Sequence, residues 1–212
     1  MIIVSAFKWV PPFAQGLVRD LRVRWALEEA GIPYEVRLID GADQASVSYR
    51  ALQPFGQVPA FEDGSLTLFE SGAIVLHIGQ RSETLLPSEE AAKARATTWL
   101  FAAINSVEPP IQNLAEIDLF PGDPEVKKVR RPIVEQRVRK RLGELSSWLG
   151  ERDYLETGFT AGDLMMTTVL RILRHTDLVE QEPKLKAFQA RCEARPAFQR
   201  ALRAHMSAFG SG

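Results

Sequence analysis

The residues best suited to holding a ligand lie between 52 and 74, in the run Leu-Gln-Pro-Phe-Gly-Gln-Val-Pro-Ala-Phe-Glu-Asp-Gly-Ser-Leu-Thr-Leu-Phe-Glu-Ser-Gly-Ala-Ile. Proline has no N–H to give to a ladder, so Pro59 belongs at the start or edge of a strand. It is also a candidate for the cis isomer, with the preceding backbone turned outward. The N–H and C=O of Val58 are then open to an extended peptide, which would pair as an added strand does. Ser71 opens an apolar helical stretch, where free N–H groups and the positive end of the helix dipole suit a carboxylate. Glu70 beside it can accept an ammonium. Together these residue types fit a small peptide that carries a free amino-acid head.

In order, the segment reads as a loop with Gly56 and Gln57, then Val58-Pro59, a short strand, a Glu62-Asp63-Gly64-Ser65 turn, a second strand from Leu66 to Phe69, and Glu70-Ser71 opening a helix. This pattern resembles the glutathione S-transferase superfamily, of a bacterial cytosolic type, and the resemblance extends over nearly the whole chain. It implies that the Val58 backbone, placed by Pro59, pairs with the cysteinyl unit of glutathione. It implies too that Glu70 and Ser71 hold the γ-glutamyl head and that Gln57 helps hold the tripeptide. The implied activity is a detoxification-type transferase in which glutathione, the co-substrate, attacks a small electrophile through its sulfur, with no metal. The implied assembly is a homodimer whose contact region includes the helix after Ser71 and the alanine-rich helix of residues 91 to 107.

The family places a Tyr, Ser or Cys near the end of the first strand or the start of the first helix, against the glutathione sulfur. Residues 7 to 20 here read Phe-Lys-Trp-Val-Pro-Pro-Phe-Ala-Gln-Gly-Leu-Val-Arg-Asp and contain none of these. Matching Arg22 to Leu27 with the family's first helix puts the expected position near Leu17 to Arg19. A cation lowers a thiol pKa without taking its proton, so Arg19, with the helix start, and Lys8 are the catalytic candidates. Trp9 and Phe13 are candidates for facing an apolar co-substrate, and Ser5 reads as a packing residue within the strand. The absent hydroxyl keeps a second possibility open: a glutathione-binding or protein-interaction module with little activity. A thiol-transferase would need a cysteine in this window for its mixed disulfide, and the serine- and cysteine-rich motif of the maleylacetoacetate isomerase branch is also missing.

These residues need a scaffold, and the N-terminal pattern supplies one. Ile2 to Ala6 reads as a strand, Leu17 to Ala30 as a helix ended by Gly31, and Tyr34 to Ile39 as a second strand. Gln44 to Leu52 reads as a short helix. With the hairpin and helix that follow, this predicts a thioredoxin-like α/β domain over 1–80 that binds glutathione. Residues 81–88 read as a linker and 89–212 as an all-helical domain, giving the glutathione S-transferase fold. Within that domain Pro109-Pro110 reads as a kink or stop, Ile117 to Pro124 as a loop, and Val134 to Gly150 as a long helix. Thr160 and Asp163 have the spacing of a reciprocal helix cap with a structural role.

Composition limits the alternatives. The 212 residues are 45% hydrophobic and 25% charged, with a net charge of −1, the balance of a globular protein without a global pull toward nucleic acid or membrane. One cysteine, Cys192, allows no internal disulfide and suits a reducing cytoplasm. The apolar run at the N-terminus is too short for a signal peptide. His77, His175 and His205 are scattered without metal-binding spacing. The basic runs at 127–131 and 137–141 read as a solvated helix face or a contact for an acidic patch on a partner subunit, since no aromatic residues interleave them for nucleic acid.

Overall fold

The β-branched run at the N-terminus forms strand β1 (Ile2–Phe7) of a four-stranded sheet that also contains β2 (Tyr34–Ile39), β3 (Ala60–Asp63) and β4 (Leu66–Phe69), in the order β2-β1-β3-β4. The computed structural model describes residues 1–209, so the end of the expected helical domain at 212 lies outside the described residues. Strand β1 is parallel to β2 and antiparallel to β3, and β3 is antiparallel to β4. A parallel pair needs a crossover, supplied here by helix α1 (Asp20–Ala30), which ends at Gly31 in the left-handed conformation. Helices α2 (Gly41–Ala45), α3 (Val47–Leu52) and α4 (Ser71–Gly79) complete the thioredoxin-like pattern of the N-terminal part.

Several boundaries differ from the sequence expectation for local reasons. The single helix expected over 44–52 is two, because Ser46 adopts an extended backbone and caps α3 by accepting the Tyr49 N–H. An Asp40–Asp43 capping box starts α2 three residues earlier. The helix expected from Leu17 begins at Asp20. Before it, Pro12–Ala14 form a 3-10 turn, and Gly16 takes a φ of 78°, which only glycine adopts readily.

Ten helices are ordered along the described chain, and the remaining six are α5 (Glu90–Ala102), α6 (Glu108–Leu119), α7 (Pro124–Leu149), α8 (Ala161–Leu170), α9 (Pro183–Glu193) and α10 (Pro196–Ser207). A π-helical turn, Ala103–Val107, joins α5 to α6. Pro109 and Pro110 fall in the first turn of α6, where a missing N–H leaves nothing unmade, so the chain continues through them. The loop expected from Ile117 is shorter: α6 runs to Leu119, and Asp123 caps α7 with Pro124 at its first position. The long helix expected from Val134 therefore starts ten residues earlier and carries Pro132 within it.

By packing, the chain forms two compact units. One spans Met1–Pro87 together with the segment from Arg195 onward, and the other spans Ser88–Ala194. Helix α10 thus packs in the first unit, against α1, a grouping the sequence pattern does not reveal. In the second unit, every residue of α8 is buried, as an all-round apolar helix requires. A β-carbon on Gly162 would come within 2.5 Å of the Trp99 side chain, so the close approach of α8 to α5 depends on that glycine.

Candidate functional site

The β3–β4 hairpin brings the ligand-suited residues to one end. Ala60 pairs with Phe69, so Pro59 and Glu70, which lie one step beyond that pair, leave the hairpin side by side. The Val58–Pro59 peptide is cis. Among the described residues, the N–H and C=O of Val58 take no hydrogen-bond partner. The Gln57 side chain is exposed, whereas Val58, Pro59 and Ser71 are buried. Glu70 is exposed and sits at φ 68°, the only non-glycine residue described with a positive φ. Such a backbone costs on the order of 1–3 kcal/mol and clusters at functional sites.

Ser71 starts α4 and is 5% exposed. Its hydroxyl accepts a 3.3 Å hydrogen bond from the Arg22 guanidinium of α1. The serine proton is then available to a ligand, beside the N–H groups of the helix start. The buried Arg22 cation adds to the dipole end, an arrangement whose charge suits a carboxylate. The sequence reading missed Arg22. A signal for it exists: Leu21, Val23, Trp25, Ala26 and Leu27 cover every face of α1, so the charges between them must be buried and partnered. The same holds for Asp20 and Arg24, which pair at 2.7 Å, while the His205 ring on α10 meets Asp20 at 3.1 Å.

A second group links the loop to the sheet. The Ala60 N–H donates to Ser5 Oγ at 2.7 Å, Ser5 and Tyr49 hydroxyls meet at 2.8 Å, and Tyr49 Oη donates to the Gln57 carbonyl at 2.7 Å. Ser5 therefore does more than pack. Tyr49 carried no signal in the sequence beyond an apolar position on α3.

The cations assigned to the thiol occupy different surroundings. The Lys8 ammonium lies 2.8 Å from Asp40 and 3.4 Å from Asp43. Its hydrogen bond to Asp40 raises the lysine pKa and lowers that of Asp40 to about 2. Arg19 is exposed at the N-cap of α1. Trp9 is 69% exposed and Phe13 half-buried in the 3-10 turn. A cavity of about 790 Å³ among α1, β2 and α10 is lined by Arg24, Tyr34 and Arg200 and by none of the candidate site residues.

In the second unit, Thr160 and Asp163 form the reciprocal cap. Asp163 accepts from the Thr160 N–H at 2.8 Å and from its hydroxyl at 3.0 Å, and also takes the Leu155 N–H at 2.8 Å. The basic runs lie on α7, where Arg131, Arg139 and Arg141 pair with Asp118, Glu135 and Glu144 of the same unit.

Comparison with known proteins bears on the family and the fold. Residues 15–80 match the family described as glutathione S-transferase, N-terminal domain. The chain is similar to glutathione S-transferase 4 of Zea mays, with 31% identity over 92% of this chain and 89% of that protein. It is also similar to a glutathione S-transferase of Hyoscyamus muticus, with 30% identity over 86% of this chain and 92% of that protein. Among solved structures, a glutathione transferase family member from Pseudomonas fluorescens with two glutathione bound superposes with a TM-score of 0.83 at 25% identity, over 95% of this chain and 92% of that one. Poplar glutathione transferase F1 shares the fold, with a TM-score of 0.81 at 24% identity over 97% and 98% of the two chains.

Proposed function

Because the chain belongs to the glutathione S-transferase family, we propose that it is a glutathione transferase that joins the glutathione sulfur to a small electrophile. The observation that carries this reading is the shared end of the hairpin: Ala60 pairs with Phe69, so the chain through Val58-Pro59 enters and the chain through Glu70-Ser71 leaves at that one end. The γ-glutamyl carboxylate takes the Ser71 hydroxyl and the start of α4, with Arg22 behind it. Its ammonium takes Glu70, and Gln57 reaches the tripeptide from the neighbouring loop. The cysteinyl N–H and C=O pair with Val58 as an added strand.

The thiol must lose its proton to react, and a free thiol is only a few per cent ionised near neutrality. We assign activation to Arg19 and the N–H groups at the start of α1. Lys8, whose charge two carboxylates surround, is the second candidate. The thiolate then attacks the electrophilic carbon, and the displaced group leaves with its bonding electrons. Trp9 and Phe13 supply apolar surface for that co-substrate. A homodimer and a cytoplasmic location fit the same reading, the latter supported by a single, buried cysteine. No helix among the described residues is long and apolar enough to cross a membrane.

One observation favours a second reading. Residues 7 to 20 contain no Tyr, Ser or Cys, which fits a glutathione-binding module with little turnover. The experiment that separates the two is a conjugation assay across a panel of small electrophiles. A transferase accelerates at least one of them over glutathione alone at the same pH. A rate equal to the uncatalysed one for every electrophile, with glutathione still bound, supports the module.

A further inference from the structure

We propose that Tyr49 is a positioning residue for glutathione, acting through its hydroxyl to set the direction of the Val58 N–H. The inference rests on the reading of Val58 as the edge that pairs with the tripeptide, and adds what holds that edge in place.

The hydrogen-bond chain has only one arrangement of protons. The Gln57 carbonyl can only accept, so the Tyr49 proton goes to it. The phenol has no second proton, so the 2.8 Å contact with Ser5 must be a donation from the serine. The serine oxygen then accepts the Ala60 N–H at 2.7 Å. The order is therefore Ala60 N–H to Ser5, Ser5 to Tyr49, and Tyr49 to the Gln57 carbonyl. Ser5 and Tyr49 are 2% and 4% exposed, so water does not compete for these bonds. Burial also pushes the Tyr49 phenol up in pKa, which keeps it protonated and a donor.

The consequence for the ligand edge follows from peptide planarity. The Gln57 carbonyl and the Val58 N–H belong to one trans peptide unit and point in opposite directions. Tyr49 draws the carbonyl toward the α3 side, which turns the Val58 N–H away from it. Ser5 anchors Ala60, two residues beyond Val58. One chain of hydrogen bonds thus grips the strand on both flanks of Val58, while Val58 itself keeps its N–H and C=O without a partner among the described residues. The ring of Tyr49 packs with Ile39, Val58 and Ala60. Removing the hydroxyl alone therefore leaves the apolar contacts in place.

The test is Tyr49→Phe, with Ser5→Ala as a second variant in case the first does not fold. Glutathione affinity is measured by calorimetry, the pKa of the bound thiol by thiolate absorbance, and the thermal midpoint of the ligand-free protein in parallel. Tyr49→Phe is expected to weaken glutathione binding by about 3- to 10-fold, the effect of one lost hydrogen bond, with the bound thiol pKa unchanged. Ser5→Ala, which takes away the phenol's donor, is expected to act in the same direction. Glutathione binding by wild type with both variants matching its affinity would overturn the proposal. So would a loss of affinity accompanied by an equal change in thiol pKa, since the whole site would then have loosened. Absence of binding by the wild-type protein would instead contradict the reading of the site itself.

Discussion

Arg19 stands at the N-cap of α1, the place to which the family resemblance assigned the missing hydroxyl group. A cation there favours the thiolate by charge and by the helix dipole, but takes up no proton. Arg19→Ala is therefore expected to raise the apparent pKa of bound glutathione and shift the pH profile of conjugation upward, while glutathione affinity changes less. An unchanged thiol pKa and pH profile in that variant would leave activation to the backbone N–H groups. At this scale the sequence was a partial guide. Val58, Pro59, Glu70 and Ser71 could be put forward from the sequence because proline, a helix-opening serine and a preceding acid have few uses in that order. Arg22 and Tyr49 could not, because their contacts are with partners 49 and 44 residues away, at Ser71 and Ser5. No local spacing encodes such pairs. The positive φ of Glu70 was equally hidden, since nothing about a glutamate announces a left-handed backbone.

Among the elements, the cap of α8 shows how burial and hydrogen bonding compete. Burial raises the Asp163 carboxyl from 3.8 to about 6, against hydrogen bonds from Leu155 and Thr160 that pull it down. With the folded value above the unfolded one, the native state takes up the proton first on acidification. The group's contribution to stability is therefore largest below about pH 4 and is lost as pH rises through 6, a difference of up to about 3 kcal/mol. Asp163→Asn is expected to destabilise the protein at neutral pH by roughly 1–3 kcal/mol through the broken cap and to remove this pH dependence. The measurement is urea unfolding of both proteins from pH 4 to 7. If the advantage of wild type shrinks toward acid, the hydrogen bonds outweigh burial. The cap was legible as Thr-x-x-Asp before an apolar run. The start of α6 was not, because Pro109 and Pro110 normally signal a break. A π-helical turn ahead of the pair moves both into a helix start. Helix α10 was not singled out within the expected helical region, and its docking on α1 rests on distant pairs such as Arg195 with Glu29 at 2.6 Å and Arg200 with Glu28 at 2.6 Å.

For the whole molecule, the alternation of strands and helices up to residue 80 and the helices thereafter were enough to read the thioredoxin-like fold and its helical partner. Assembly is a matter of surface. Phe55 and Phe69 are 63% and 38% exposed, with their rings 6.0 Å apart edge to face, an apolar patch on the first unit. A twofold contact uses the same surface on both copies. The protein is expected to sediment as a dimer at micromolar concentration and Phe55→Glu to shift it toward monomer; a wild-type monomer would contradict the proposed assembly. Under the proposed function, glutathione is held at the shared end of the hairpin by Val58, Glu70 and Ser71. Titration calorimetry of glutathione into wild type, Glu70→Ala and Ser71→Ala measures this. Saturable binding to wild type is expected, with a loss of roughly 1–3 kcal/mol in each variant, the effect of removing one partner from a charge-assisted hydrogen bond. No heat of binding to wild type at millimolar glutathione, or equal affinity in all three proteins, would contradict it.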